Sequence, residues 1–183
     1  MDGVPPLHHS AYTQGINRVH SPLLAGALPW LSIMLASLLP QWLPVATAPL
    51  LPPLGFLLLV SWRQLRPGLL AVWAGLPLGF FDDLYSGQPF GSAILLWSLT
   101  MIAMELIEAR LPWRSFVFDW LAASAIIAVY LLASLGLANS AGGHIDAVMI
   151  VPQILIGALI FPLMGRMVAQ IDRLRLTRFR MLG

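Results

Sequence analysis

Gly75-Leu-Pro-Leu-Gly-Phe-Phe-Asp-Asp-Leu-Tyr-Ser-Gly-Gln-Pro-Phe-Gly91 is the stretch on which the reading of this chain turns. Two adjacent carboxylates, Asp82 and Asp83, close an apolar run and sit inside a frame of glycines. Gly79, Asp83, Gly87 and Gly91 recur at every fourth position, and Pro77 and Pro89 bracket the acid pair. On either side the chain is mostly hydrocarbon. A pair of acids in such surroundings needs partners.

The surrounding composition defines the problem. Of 183 residues, 58% are hydrophobic and 10% charged, and the mean hydropathy is +0.82. A soluble domain carries about 25% charged residues, so this chain cannot cover a water-facing surface. It reads as an all-α integral membrane protein forming one compact bundle. Cysteine is absent, which excludes disulfides, thiolate metal sites and cysteine nucleophiles.

Outward from the acid pair, apolar runs alternate with short polar loops. Residues 1–21 are polar, hold His8, His9, Arg18 and His20, and read as a tail. The first run goes from Pro22 to Leu39. Ala46-Thr-Ala48 resembles a small-residue cleavage site, but the run before it is too long for a signal core and Pro49 follows directly. A second run, Val45 to Trp62, is crowded with Pro44, Pro49, Pro52 and Pro53, so a regular helix is expected only from near Pro53. Arg63 and Arg66 then read as an aqueous turn ending in Pro67. The third run, Gly68 to Phe81, stops short of the about twenty residues that cross the hydrocarbon. The remaining runs are Phe90–Ile107, Phe116–Ala138 and Val148 to about Val168, the last bent by Pro152 and Pro162.

The basic residues give the orientation. All ten are arginines. Arg18 precedes the first run; Arg63 and Arg66 lie between the second and third; Arg110 and Arg114 lie between the fourth and fifth. Arg166, Arg173, Arg175, Arg178 and Arg180 close the sixth. With six spans all ten fall on one side, and the opposite loops carry Asp82, Asp83, His144 and Asp146. By the positive-inside rule both termini are cytoplasmic. The expected organisation is a cytoplasmic tail over 1–21, a six-helix transmembrane domain over 22–168 and a basic cytoplasmic tail over 169–183.

Asp82 and Asp83 first suggest an enzyme. Adjacent acids point to different faces of a helix and cannot share one proton without outside help. The other acids available for an intramembrane dyad are Asp119, at the opposite membrane face, and Asp146, in a loop. A magnesium-diphosphate motif would need a third acid about four residues on, and Ser86 stands there. The pair therefore reads as structural. An Asp at the bilayer centre costs roughly 2.5–3.5 kcal/mol on insertion scales, so a partly buried one needs a partner. The candidates are backbone N–H groups of the 84–91 turn, Tyr85, Ser86, Gln88 or His144, with the next helix starting at about Phe90. Glu105 and Glu108 are expected to pair with Arg110, Arg114 or another arginine on the same side, and Asp119 similarly. Trp42, Trp62 and Trp113 read as interfacial anchors. Arg173, Arg175, Arg178 and Arg180 suit an anionic leaflet or a cytosolic partner. Nothing points to nucleic acid, a cofactor or a metal.

From about Pro49 to Arg110 the chain resembles the MreD family of bacterial rod shape-determining proteins. The residues that carry the resemblance are Arg66-Pro67, Val72-Trp73-x-Gly75, and Gly79-x-x-x-Asp83-x-x-x-Gly87-x-x-x-Gly91 with Pro89 and Phe90 before the last glycine. Outside residues 49–110 it rests on hydropathy. Asp82 is an additional acid where the family more often has an apolar residue, so Asp83 is the family position. The resemblance implies an inner-membrane, multi-pass, non-enzymatic scaffold of the cell-elongation machinery. Its implied partners are the single-pass protein MreC, the MreB filament, RodA with its transpeptidase, and membrane lipids. It also implies a fold similar to the S components of vitamin transporters. The implied partner-binding or structural motif is Arg66, Pro67, Gly79, Asp83, Gly87, Pro89 and Gly91. A substrate-binding subunit of a small-molecule transporter is the alternative, with Asp82 and Asp83 lining an external pocket.

Overall fold

The computed structural model describes residues 22–42, 51–110 and 115–176. The tail over 1–21, the segment Ala46–Ala48, Trp113, Arg114, Arg178 and Arg180 lie outside the described residues. Six helices follow one another: α1 (Pro22–Trp42), α2 (Leu54–Leu65), α3 (Gly75–Tyr85), α4 (Ser92–Arg110), α5 (Phe116–Ser140) and α6 (Val151–Leu176). Single 3-10 turns, Val72–Ala74 and Ala147–Ile150, lead into α3 and α6. No strand occurs among the described residues.

Three of these segments are long and apolar enough to cross a membrane: Ser92–Arg110, Phe116–Ser140 and Ala147–Arg173. Their outward faces carry leucine and isoleucine at helical spacing, Leu95, Leu99, Ile102 and Leu106 on α4 and Leu155, Leu159 and Leu163 on α6, all exposed. Stripes this apolar are stable against lipid and not against water.

The middle of the bundle is α2, a helix of 12 residues. Gly55 to Arg63 are buried without interruption, so α2 is surrounded on all sides. Its start follows from the prolines: Pro53 occupies the N-cap, where a missing N–H costs nothing. Phe56 stacks on Tyr130 of α5 with ring centroids 3.9 Å apart and planes 16° from parallel, and Trp97 of α4 lies 6.0 Å from the same ring. Trp62 is fully buried, and its Nε1 donates to Ser32 Oγ on α1 at 2.9 Å. It is a core residue and not an interfacial anchor, because α2 continues past it to Leu65. Trp42, by contrast, is exposed.

The same extension of α2 corrects the reading of Arg63 as part of an aqueous turn. Arg63 is 2% exposed. Its Nε and Nη2 fork onto Glu108 at 3.2 and 2.9 Å, Nη1 donates to the Leu70 carbonyl at 2.7 Å, and Nη2 also reaches Glu105. A buried guanidinium survives because its planar donors are met by carboxylates and a carbonyl. Arg66, half exposed, donates from Nε and Nη2 to Asp172 Oδ2 on α6 at 2.9 and 2.7 Å. Gln64 Nε2 donates to the Asp119 carbonyl in the first turn of α5 at 2.9 Å. The ends of α2, α4 and α6 and the start of α5 therefore meet at one end of the bundle.

Several boundaries differ from the hydropathy reading: α3 begins only at Gly75, after the 3-10 turn, rather than at Gly68, and other helices run longer than their apolar stretches. Helix α3 runs through both acids to Tyr85, and α6 runs on past Val168, so Arg173 belongs to a helix rather than to a tail. Hydropathy ends a segment at the first charges, whereas the backbone hydrogen-bond ladder continues wherever its donors stay paired.

Candidate functional site

Helices α3 and α4 form a tight antiparallel hairpin, and the glycine frame explains how. A Cβ built on Gly79 would lie 2.6 Å from the Ala93 carbonyl oxygen and 2.8 Å from Ile94 Cα. One built on Gly75 would lie 2.8 Å from the Trp97 carbonyl oxygen and 3.0 Å from Ser98 Cα. Only glycine permits backbones this close. Spacing by four keeps Gly75, Gly79 and Asp83 on one face of α3, and the same step separates Ala93 from Trp97 on α4.

One turn beyond Gly79, Asp83 takes over from the glycines. It is 6% exposed. Oδ1 accepts from the Ala93 N–H at 2.9 Å and from Ser92 Oγ at 3.3 Å; Oδ2 accepts from the Gly91 N–H at 3.0 Å and the Ile94 N–H at 3.1 Å. These amides belong to the first turn of α4, which has no intrahelical acceptors for them. A carboxylate supplied from α3 satisfies them and complements the positive end of the helix dipole. Asp83 is a helix cap delivered from another helix. The expected partners in the turn before α4 are thus met in part by Gly91, while the remainder come from α4 itself.

Gly87 and Gly91 have a different task. Their φ angles are +69° and +93°, and a Cβ at either would meet nothing within 4 Å. They let the chain reverse between Tyr85 and Ser92, a conformation disfavoured for side-chain-bearing residues. Within that turn Gln88 Oε1 accepts from Ser134 Oγ of α5 at 2.9 Å, anchoring it to a third helix. Pro89 contributes its carbonyl to the Ser92 N–H at 3.0 Å. The every-fourth-residue frame therefore divides into close approach (Gly79), capping (Asp83) and reversal (Gly87, Gly91).

Asp82, next in sequence, points elsewhere. It lines a cavity of about 330 Å³ at the same end of the bundle, with Ser37 and Gln41 of α1, Gly55 of α2, Tyr130 of α5 and Gln153 of α6. The two acids thus separate: Asp83 is consumed by α4, and Asp82 faces open space.

The other residues of the expected motif sit apart. Arg66 and Pro67 follow α2 at the opposite end, where Arg66 braces α6 through Asp172. Glu105 and Glu108 turn to Arg63, a partner that hydropathy had assigned to solvent. Asp172, 5% exposed, is the residue that sequence reasoning did not single out. Its signal lay in being the one acid within the arginine-rich end of α6. Among the described residues no three metal-ligating side chains come together.

No curated protein and no solved structure matches the chain. A family model described as rod shape-determining protein MreD matches residues 23–173. The chain belongs to that family of membrane proteins, whose role is rod shape determination.

Proposed function

As a member of the MreD family, this chain is, we propose, a non-enzymatic membrane scaffold of the elongation complex that holds MreC and thereby takes part in the control of peptidoglycan synthesis. The observation that carries the proposal is the close, cross-braced packing of the α3–α4 hairpin. Asp83, Gly75 and Gly79 hold it closed at backbone distance, and Gln88 fixes its turn to α5. A braced turn bearing exposed Phe90, Tyr85 and Leu84 suits docking of a membrane-anchored partner, because little ordering entropy remains to be lost on binding.

In this reading all six helices traverse or enter the membrane of the inner-membrane protein, with both termini cytoplasmic. The arginine distribution supports that orientation, and the convergence of Arg63, Arg66 and Arg110 at one end of the bundle agrees with it. The 86–91 turn then faces outward, toward the juxtamembrane region of MreC, with Gly87, Pro89 and Gly91 shaping the contact and Gly79 and Asp83 holding it from behind. On the cytoplasmic side the basic residues Arg173, Arg175, Arg178 and Arg180 provide charge for the anionic leaflet and for MreB, with RodA and its transpeptidase in the same assembly. The bundle is expected to be similar to vitamin-transporter S components.

Co-purification tests the reading. Tagged full-length protein should retain MreC, and Gly79→Leu should lose it together with rod shape. Retention of MreC and normal cell width in a hairpin-disrupted variant would overturn the proposal.

A further inference from the structure

The cavity beside Asp82 has the features of a site and no role in the scaffold. Five helices meet around it: Ser37 comes from α1, Gly55 from α2, Asp82 from α3, Tyr130 from α5 and Gln153 from α6. Its about 330 Å³ is many times the ~30 Å³ share of one water and lies within the size range of small-ligand pockets.

The chemistry of the wall is one-sided. Asp82 is the one charged group among its described lining residues, and no arginine, lysine or histidine joins it. Around it stand two hydroxyls on deeply buried residues. Ser37 is 8% and Tyr130 2% exposed, and among the described residues neither Oγ nor OH completes a well-formed hydrogen bond. Their polar neighbours are Asp82 for Ser37, and Trp97 and Gln88 for Tyr130. Buried polar atoms left short of partners are destabilising, so an occupant that bonds them has a gain available. Gln41 is turned to the Tyr85 carbonyl, and Gln153 adds an amide. Pro40, Leu51, Pro52, Pro53 and Leu54 form the apolar side of the wall.

One carboxylate, hydroxyls able to accept, an aromatic ring and an apolar flank together match a primary ammonium carried on a short chain. A bare metal ion would leave most of this volume empty, and an anion would face Asp82. We propose that this cavity binds the primary ammonium group of an amine, with Asp82 as its counter-ion and Ser37 and Tyr130 as acceptors. Two sources carry that chemistry at this depth: the headgroup of an ethanolamine phospholipid, and a free small amine. Asp83 takes no part, since its oxygens are committed to α4.

The test uses purified full-length protein. Native mass spectrometry is run with equal amounts of phosphatidylethanolamine and phosphatidylglycerol, and thermal unfolding is followed with ethanolamine added. Wild type should retain phosphatidylethanolamine over phosphatidylglycerol, and Asp82→Asn should reduce that preference by about tenfold. Tyr130→Phe, which keeps the stacked ring, should reduce it less, and Asp146→Asn, an exposed acid outside the cavity, should leave it unchanged. Stabilisation by ethanolamine in wild type and not in Asp82→Asn identifies the free amine as an occupant; lipid selectivity without it identifies the headgroup. Absence of both, or equal behaviour of wild type, Asp82→Asn and Tyr130→Phe, overturns the proposal. These readouts need no MreC, so they stand or fall apart from the scaffold reading.

Discussion

Asp83 Oδ1 accepts the backbone N–H of Ala93 at 2.9 Å across the α3–α4 turn, and the same carboxylate holds three further donors at the start of α4. Replacing it by alanine strands first-turn amides in a buried position. Asp83→Ala should destabilise the protein by about 2–4 kcal/mol, whereas Asp82→Ala, which empties one wall of a cavity, should cost less. Thermal unfolding of the two purified variants checks the order. MreC retention and cell width should follow the same ranking, and equal effects would show that the cap is not what holds the hairpin.

Gly79 and Gly87 make a second contrast. An added methyl at Gly79 meets the Ala93 backbone, while at Gly87 it meets open space but a φ of +69°. Gly79→Ala should cost about 1–3 kcal/mol through forced separation of α3 and α4. Gly87→Ala should cost about 1 kcal/mol through backbone conformation alone. A larger loss of melting temperature for Gly87→Ala would contradict the close-approach role of Gly79.

Arg63 is the most consequential charge in the bundle interior. Arg63→Met leaves Glu108, largely buried, facing an apolar side chain, and should destabilise by about 3–5 kcal/mol. Combining Arg63→Met with Glu105→Gln and Glu108→Gln removes the stranded charges and should recover most of that loss. Failure of the triple variant to recover in thermal unfolding would mean that the guanidinium acts through packing and the Leu70 carbonyl rather than through the acids.

Orientation is testable because the chain has no cysteine of its own. Single substitutions Ser86→Cys and Leu176→Cys should label from opposite faces of the membrane. A membrane-impermeant maleimide added to intact spheroplasts should modify position 86 only. Labelling of position 176 from outside would invert the topology.

Much of the fold was legible because lipid imposes a simple rule: apolar runs become helices, and charges collect at their ends. That rule located α1, α4, α5 and most of α6, and the prolines located the start of α2. It misplaced Arg63 and Trp62, since hydropathy scores a residue by its own polarity and has no term for the partners that other helices bring. Glu105 and Glu108, one helical turn apart, signalled a cation in need of them, but several arginines on that side were eligible. The choice of Arg63 required knowing that α2 is enclosed.

The acid pair shows the division most plainly. By itself the sequence determined a helical membrane bundle and a glycine-framed turn around the acid pair, because composition and four-residue periodicity are local properties. Only the tertiary structure decided what each carboxylate does. Neighbouring residues on a helix project about 100° apart, so Asp83 meets the unpaired amides of α4 while Asp82 meets a cavity built from distant segments. Which helix lies across from a side chain is set by packing of the whole bundle, and two adjacent aspartates thereby acquire unrelated roles.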